Sequence, residues 1–420
     1  MVQVIQNEAA TAAANFTLHD VAPWAGTDFE ALNHATHGLD APFGVIDLRA
    51  LATNAHAMLQ RAGGVPIRVA SKSIRVRSVL ESVLALPGYA GVLAYTLREA
   101  IWLVQHGIDD VVVGYPTVDL EAIGELVADP RLAQQITLMV DSVDHLDAVD
   151  AVIRPSKRPA VRVAIDQDMS LRSSILGHIG VRRSPIHDPR EAFELAAAIV
   201  RRPGFALVGM MGYEAQIAGL GNAPIGKPLM GFILRALQSM SAAELHERRA
   251  AAVRAVRSIA DLEFVNGGGT GSLESTASDA SVTEIAAGSG LFAPTLFDNY
   301  AHFRHAPAAL FALAVVRRPT PEIATIMGGG WIASGPHGAD RAPSPVHPAG
   351  LKFVPREGAG EVQTPVTGPA ARDLAIGDRV WFRHTKAGEL SEHLDTFVVV
   401  DGASAIGTVP TYRGEGKVFL

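Results

Sequence analysis

The chain of 420 residues contains no cysteine, which removes disulfides, thiolate metal ligands and cysteine nucleophiles together. Any metal would have to be held by His, Asp or Glu. Aromatic residues are scarce at 6% and charged ones at 19%, against 48% apolar. The core is therefore rich in Ala, Val and Leu, and the composition is that of a packed globular protein, neither disordered nor fibrous. A basic stripe is also missing: the net charge is -7 and arginines are scattered along the length. Nothing is arranged to neutralise a row of phosphates, which argues against nucleic acid and for a small-molecule partner. No apolar run approaches the length that spans a bilayer, and MVQVIQNEAATAAANF at the start lacks a basic region followed by an apolar stretch. No membrane partner and a cytoplasmic location are the expectations.

What is present is a repeated alternation of short β-branched runs with longer amphipathic stretches from about residue 43 to residue 290. Eight runs qualify as strands: residues 67–71, 91–95, 111–114, 137–140, 161–166, 205–212, 263–267 and 283–288. Eight βα units predict an α/β fold, a (β/α)8 TIM-type barrel. LREAIWLVQHG reads as a crossover helix closed by Gly107, and PREAFELAAAIVRR as one opened by Pro189. GVIDLRALATNAHAMLQRAGG adds a strand and helix ahead of the first barrel strand, with no fixed place in the sheet. Beyond about residue 310 Pro, Gly and His crowd the chain, and only short runs such as RVWFRH and TFVVV read as strands. This predicts a smaller C-terminal β-domain. The expected division is a segment 1–35 that packs on the C-terminal domain, a barrel over 36–310 and the β-domain over 311–420.

In such a barrel the active site lies at the C-terminal ends of the strands. The first strand ends in Ser71-Lys72-Ser73, which puts a lysine at the mouth, where partial desolvation favours a nucleophilic amine able to form a Schiff base. The seventh strand runs into Asn266-Gly267-Gly268-Gly269-Thr270-Gly271-Ser272 and the eighth into Gly288-Ser289-Gly290. Glycines let backbone N–H groups approach a phosphate, and this fold commonly binds one after strands seven and eight. A dinucleotide loop would follow the first strand of its unit, whereas six strands precede this one. A lysine after strand one with glycine turns after strands seven and eight suits a cofactor whose aldehyde and phosphate lie at opposite ends. Tyr213 and Gln216 follow the sixth strand as pocket candidates, and Arg68 shares the strand of Lys72, four residues earlier, as a possible carboxylate or cofactor ligand.

Several segments together resemble the pyridoxal 5′-phosphate (PLP) enzymes of the alanine-racemase fold, and among them the D-threonine aldolase and D-serine dehydratase group. They are PFGVIDLRALATNAHAM, IRVASKS, GYEAQIAG, VNGGGTGS, TEIAAGSGLFAPTLFDNY and GDRVWFRH, in this order from about residue 40 onward. The resemblance implies a PLP-dependent lyase that cleaves or dehydrates a D-amino acid, with Lys72 as the Schiff-base lysine and a homodimer as the working unit. It implies a phosphate site at Gly268, Gly269, Thr270, Gly288 and Ser289, and it makes Arg172 the arginine facing the pyridine nitrogen, with Arg182 and Arg183 as competitors. An arginine there favours an unprotonated ring and a less delocalised carbanion.

Two departures stand out. The aldolase group carries a histidine two residues before its lysine, where this chain has Ala70, and a C-terminal metal pair of histidine, any residue, then aspartate or cysteine, where this chain reads His384-Thr385-Lys386. His384 is left as a single candidate metal ligand, with Lys386 able to supply a fixed positive charge in the metal's stead. Glu389 and His393 are near enough in sequence to rebuild a site. The alternatives are an amino-acid racemase, which needs a second base such as Tyr300 or Tyr412, and a non-catalytic PLP-binding protein, a class whose small single-domain barrels lack a C-terminal domain.

Overall fold

A computed structural model of the chain describes residues 12–420. The chain divides into two compact units: one comprises Met58–Lys72, Pro87–Gly288 and the last two residues, and the other the segment ending at Ala57, Ser73–Leu86 and Ser289–Val418.

The first unit is a closed barrel of eight parallel strands. They are β1 (Ile67–Ala70), β2 (Tyr89–Ala94), β3 (Val111–Val113), β4 (Ile136–Val140), β5 (Val161–Asp166), β6 (Phe205–Gly212), β7 (Phe264–Gly267) and β8 (Glu284–Ala287). Each of the eight runs in the sequence supplies one. Their order is sequential, and β8 closes on β1 through Ile285↔Ile67 and Ala287↔Val69. Residues of β3, β4 and β7 are buried throughout, because helices cover one face and packed side chains fill the other; hence β3 reads as an unbroken apolar run and β4 is interrupted only by Thr137. Val112, Met139, Ala164, Val208, Met211 and Phe264 form a core cluster.

The crossover helices have local causes. Thr96 caps Leu97–Gln105 by accepting from the Glu99 N–H, and Gly107 at φ +90° ends the turn that follows. Asp188 and Glu191 form a capping box around Pro189–Arg201. After β6 a long helix, Pro228–Arg257, leads back to β7.

The second unit is built on a sheet of nine strands. The strand Phe43–Asp47, which the sequence leaves without a place, pairs here, antiparallel to Ala309–Thr320 and parallel to Thr396–Asp401. Val45, Leu310, Trp381 and Val398 share a core cluster with Leu32 of the helix Phe29–Ala35. Further back, Thr408 donates to Ala12 O at 2.6 Å and accepts from the Ala14 N–H at 2.8 Å.

Candidate active site at the barrel mouth

Lys72 follows β1 in a short 3-10 turn, Ser71–Ser73. It is exposed, so the partial desolvation expected of a lysine at a strand end is not found in this unit. Its Nζ donates to the Tyr115 hydroxyl at 2.6 Å and lies 5.3 Å from that ring's centre. Tyr115 sits just beyond β3. Burial alone would raise its hydroxyl, but the Lys72 charge and hydrogen bond, aided by Arg183, bring it below the usual phenol value.

Arg183 links two rings: its guanidinium stands 5.6 Å from the centre of Tyr115 and 5.6 Å from that of Tyr213. Tyr213, just after β6, is pushed up to about 12 by burial and keeps its proton. A side chain built at Gly269 would meet Tyr213 Cε2 at 3.4 Å and Ala218 Cβ at 3.0 Å. The order Lys72, Tyr115, Arg183, Tyr213, Gly269 thus runs unbroken from the amine to the glycine-rich turn. At the end of β5, Asp166 is pushed up to about 7, chiefly by burial and then by the nearby charge of Asp141.

The turn is built on Gly268, at φ +78°, where a Cβ would come within 2.7 Å of Thr276 Oγ1 and 2.8 Å of Ile285 Cγ2. The buried Glu214 holds it from behind, accepting from the Gly268 N–H at 3.0 Å and from the Thr276 hydroxyl. Arg249, also buried, donates to Glu214 at 3.0 Å and to Asp279 at 2.8 Å. Arg61 donates to Thr270 O at 2.8 Å and ion-pairs with Glu274. The Gly268 N–H is therefore already engaged, and Gly269 N–H donates to Ser272 Oγ at 3.2 Å. A Cβ at Gly288 would lie 2.4 Å from Ala70 O, so the turn after β8 presses directly on the end of β1. Ser289 follows Gly288 and opens the short helix Ser289–Phe292.

Three candidates have other employment. Arg68 is buried; its guanidinium takes Glu284 at 2.7 Å and Asp110 at 3.0 Å and lies over Phe264. Asp110 precedes β3 and Glu284 opens β8, so Arg68 closes the N-terminal end of the barrel, away from Lys72, and is no ligand at the mouth. Gln216 is buried and donates to Met169 O at 2.7 Å and Ser241 Oγ at 2.8 Å, joining the segment after β5 to the long helix. Arg172 lies on a hairpin, Leu171–Ser173 with Gly177–Ile179, and ion-pairs with Asp168 at 2.8 Å. The arginine stacked beside the tyrosine of Lys72 is instead Arg183.

In the sheet unit His384 is buried, and burial with the neighbouring charge of Arg383 pushes it down to about 3. Lys386 Nζ donates to Ser334 Oγ at 2.7 Å, Glu389 accepts from the Ser334 N–H at 2.8 Å, and His393 stacks on Trp331. Among the described residues no group of three or more His, Asp or Glu is placed to hold a metal.

The family model described as "Alanine racemase, N-terminal domain" matches residues 46–293. The chain belongs to this family. Within the alanine racemase N-terminal domain family it is similar to a 3-hydroxy-D-aspartate aldolase of Paracoccus denitrificans, 26% identical over 60% of each chain. A D-threonine aldolase of Arthrobacter sp. is 25% identical over 68% of this chain and 70% of the relative. The match thus spans well under the full length of these relatives. Among solved structures, D-threonine aldolase from Filomicrobium marinum superposes with a TM-score of 0.74 at 19% identity, over 90% of this chain and 96% of that one. D-threo-3-hydroxyaspartate dehydratase from Delftia sp. HT23 gives 0.71 at 20%, over 89% and 97%. At these identities the superpositions establish the fold.

Proposed function

We propose that the barrel mouth binds PLP and that the protein is a lyase acting on a D-amino acid with a β-hydroxyl group, by retro-aldol cleavage or β-elimination. The observation that carries this reading is the continuous path from the Lys72 amine to the turn at Gly269, which suits a flat ring with an aldehyde at one end and a phosphate at the other. The fit is supported by the exposed amine, by the aromatic side of Tyr213 and by the tight turns at Gly268 and Gly288, which leave no room for side chains. Lys72 would hold the cofactor. Thr270 and the backbone around Gly269, Gly288 and Ser289 would take the phosphate, with Gly268 giving the turn its shape. Arg183 would face the ring in place of Arg172.

When bound, the cofactor supplies an electron sink for the pair released at the substrate Cα. The chain's own groups handle protons and orientation. Lys72 and Tyr115 form a hydrogen-bonded pair whose phenol is made more acidic by the adjacent cations, so a proton can be held at Lys72 Nζ or Tyr115 Oη. Tyr213 stays neutral and serves as a wall of the site. The D preference and the β-hydroxyl are inferred from the relatives named above, and a homodimer, measurable by sedimentation, is proposed on the same likeness.

The test is direct. Incubation with D-threonine and D-serine should give glycine plus aldehyde, or ammonia plus keto acid, and Lys72→Ala should lose both the yellow colour and the label left by borohydride reduction. Recovery of the L-enantiomer alone would identify a racemase, and bound cofactor without turnover would leave a carrier of PLP. A borohydride label on another lysine would overturn the site.

A further inference from the structure

The eight barrel strands follow one another in order and β8 closes on β1. The strand β5 therefore stands four strands from β1 in either direction and ends across the mouth from Lys72. The residue at that end is Asp166. Its backbone is pinned, paired with Met211 of β6 and with its carbonyl accepting from Ser184 Oγ at 2.6 Å. Its side chain lines a small cavity together with Gly114, Arg183, Met211 and Tyr213.

The other buried acids of the barrel unit are engaged. Glu99 accepts from the Tyr95 N–H, Glu214 and Asp279 take Arg249, and Glu284 takes Arg68. Asp168, two residues further on, takes Ser170 and Arg172. Asp166 differs: it has the charges of Asp141, Arg183 and Asp168 nearby, but among the described residues its carboxyl receives no hydrogen bond. Asp141 itself lies 3.3 Å from His145 Nδ1, and Arg183 is committed to the faces of Tyr115 and Tyr213. Leaving a carboxyl without a partner in such a place is costly. Burial first, then Asp141, hold it at about 7, so near neutral pH the empty mouth carries a transferable proton there.

The shape of the ligand supplies the missing partner. In PLP the ring nitrogen lies para to the carbon that bears the aldehyde, and the phosphate arm sits on the carbon beside that one. With the aldehyde at Lys72 after β1 and the phosphate at the turns after β7 and β8, the nitrogen falls toward the end of β5. The ring hydroxyl, on the other neighbouring carbon, falls toward β3 and Tyr115.

We propose that Asp166 meets the ring nitrogen of the bound cofactor: its carboxyl O–H bond breaks, the proton forms an N–H bond with the ring, and the carboxylate left behind pairs with the resulting cation. The contact rests on the reading of the mouth as a PLP site. It makes the ring protonated, the reverse of what an arginine at the nitrogen favours, and so a stronger sink for the pair released at the substrate Cα.

The experiment is NMR of the protein loaded with PLP that carries nitrogen-15 in its ring, at about pH 8, where a pyridine without a carboxylate partner has lost its proton. The parent protein is expected to show the pyridinium resonance, and Asp166→Asn the shifted resonance of a neutral ring. Asp141→Asn, which removes the neighbouring acid after β4, should keep the pyridinium. In equilibrium dialysis the parent should hold PLP about tenfold or more tighter than its deaza analogue, whose ring has C–H in place of N, and Asp166→Asn should cut that preference about threefold or more. A neutral ring in the parent, a pyridinium that survives Asp166→Asn, one that is lost in Asp141→Asn, or equal affinity of the parent for the two ligands overturns the contact. The borohydride label at Lys72 separates the two readings. A label with a neutral ring leaves the PLP site standing without Asp166 as its partner, whereas no label at Lys72 removes the site and the contact together.

Discussion

At the scale of single residues, Asp166 shows how a barrel mouth trades stability for a tuned group. Its carboxyl titrates at about 7, raised first by burial, then by Asp141, with Arg183 opposing; in the unfolded chain it would titrate near about 4. The folded protein therefore binds one proton more than the unfolded chain between these values. The stability tied to Asp166 is full below pH ~4 and is lost as the pH climbs to ~7, after which the loss is constant. Asp166→Asn cannot ionise, so it should stabilise the cofactor-free protein above pH 7 by up to about 4 kcal/mol and change little at pH 4. Urea unfolding of both proteins from pH 4 to pH 8 measures this, and a difference that does not vary with pH would refute it. Strand-end position is what makes such residues readable: Lys72 and the Gly268–Gly269 turn are found by it. Tyr115 stands in the same position after β3, yet a tyrosine there is as often a packed rim residue, and only its contact with Lys72 distinguishes it. Arg68 illustrates the limit. Alternation along a strand tells which face a side chain takes, not which end of the barrel its long arm reaches, and its partners Asp110 and Glu284 lie 42 and 216 residues away.

At the scale of elements, the glycine-rich turn depends on a buttress that no local pattern reveals, since Glu214 is 54 residues from Gly268 and 35 from Arg249. Glu214, Arg249 and Asp279 are all almost fully buried. Removing one partner of a buried pair leaves an uncompensated charge, a loss of about 3–5 kcal/mol. Glu214→Ala is thus expected to be severely destabilised. Glu214→Gln keeps an acceptor for the Gly268 N–H and a milder fold defect, but the weaker acceptor should loosen the turn. Faster amide hydrogen exchange at Gly268 and weaker PLP retention in equilibrium dialysis are the expected results, and unchanged exchange at Gly268 would show that Glu214 does not hold the turn. The strand Phe43–Asp47 carries a similar lesson. Its run FGVID has the β-branched texture of a barrel strand, and a run of that kind fits the middle of either sheet. Only the long-range register to Ala309–Thr320 and Thr396–Asp401 decides for the second.

At the scale of the whole molecule, the question is whether the reaction needs a divalent ion, because this chain departs here from the aldolase group it resembles. A metal beside a β-hydroxyl would polarise it and lower its pKa, but it must be fixed by protein ligands. His384 is buried and neutral at physiological pH, which suits a ligand. The second position of the group's pair is Lys386, whose ammonium donates to Ser334 Oγ, and a cation within a few ångströms repels another. Glu389 is turned to the Ser334 N–H and His393 to the face of Trp331, so neither joins His384. Activity is therefore expected to survive exhaustive EDTA treatment and to change less than about twofold when manganese or zinc is added, a difference below ~0.4 kcal/mol in barrier. Lys386→Asp restores the histidine–any–aspartate pair and removes the repelling charge. That variant should acquire zinc in a competitive chelator titration where the parent protein does not. Activity of the parent that disappears with EDTA and returns with manganese would refute metal independence, and zinc binding by the parent as tight as by Lys386→Asp would show that Lys386 is not what keeps the ion out.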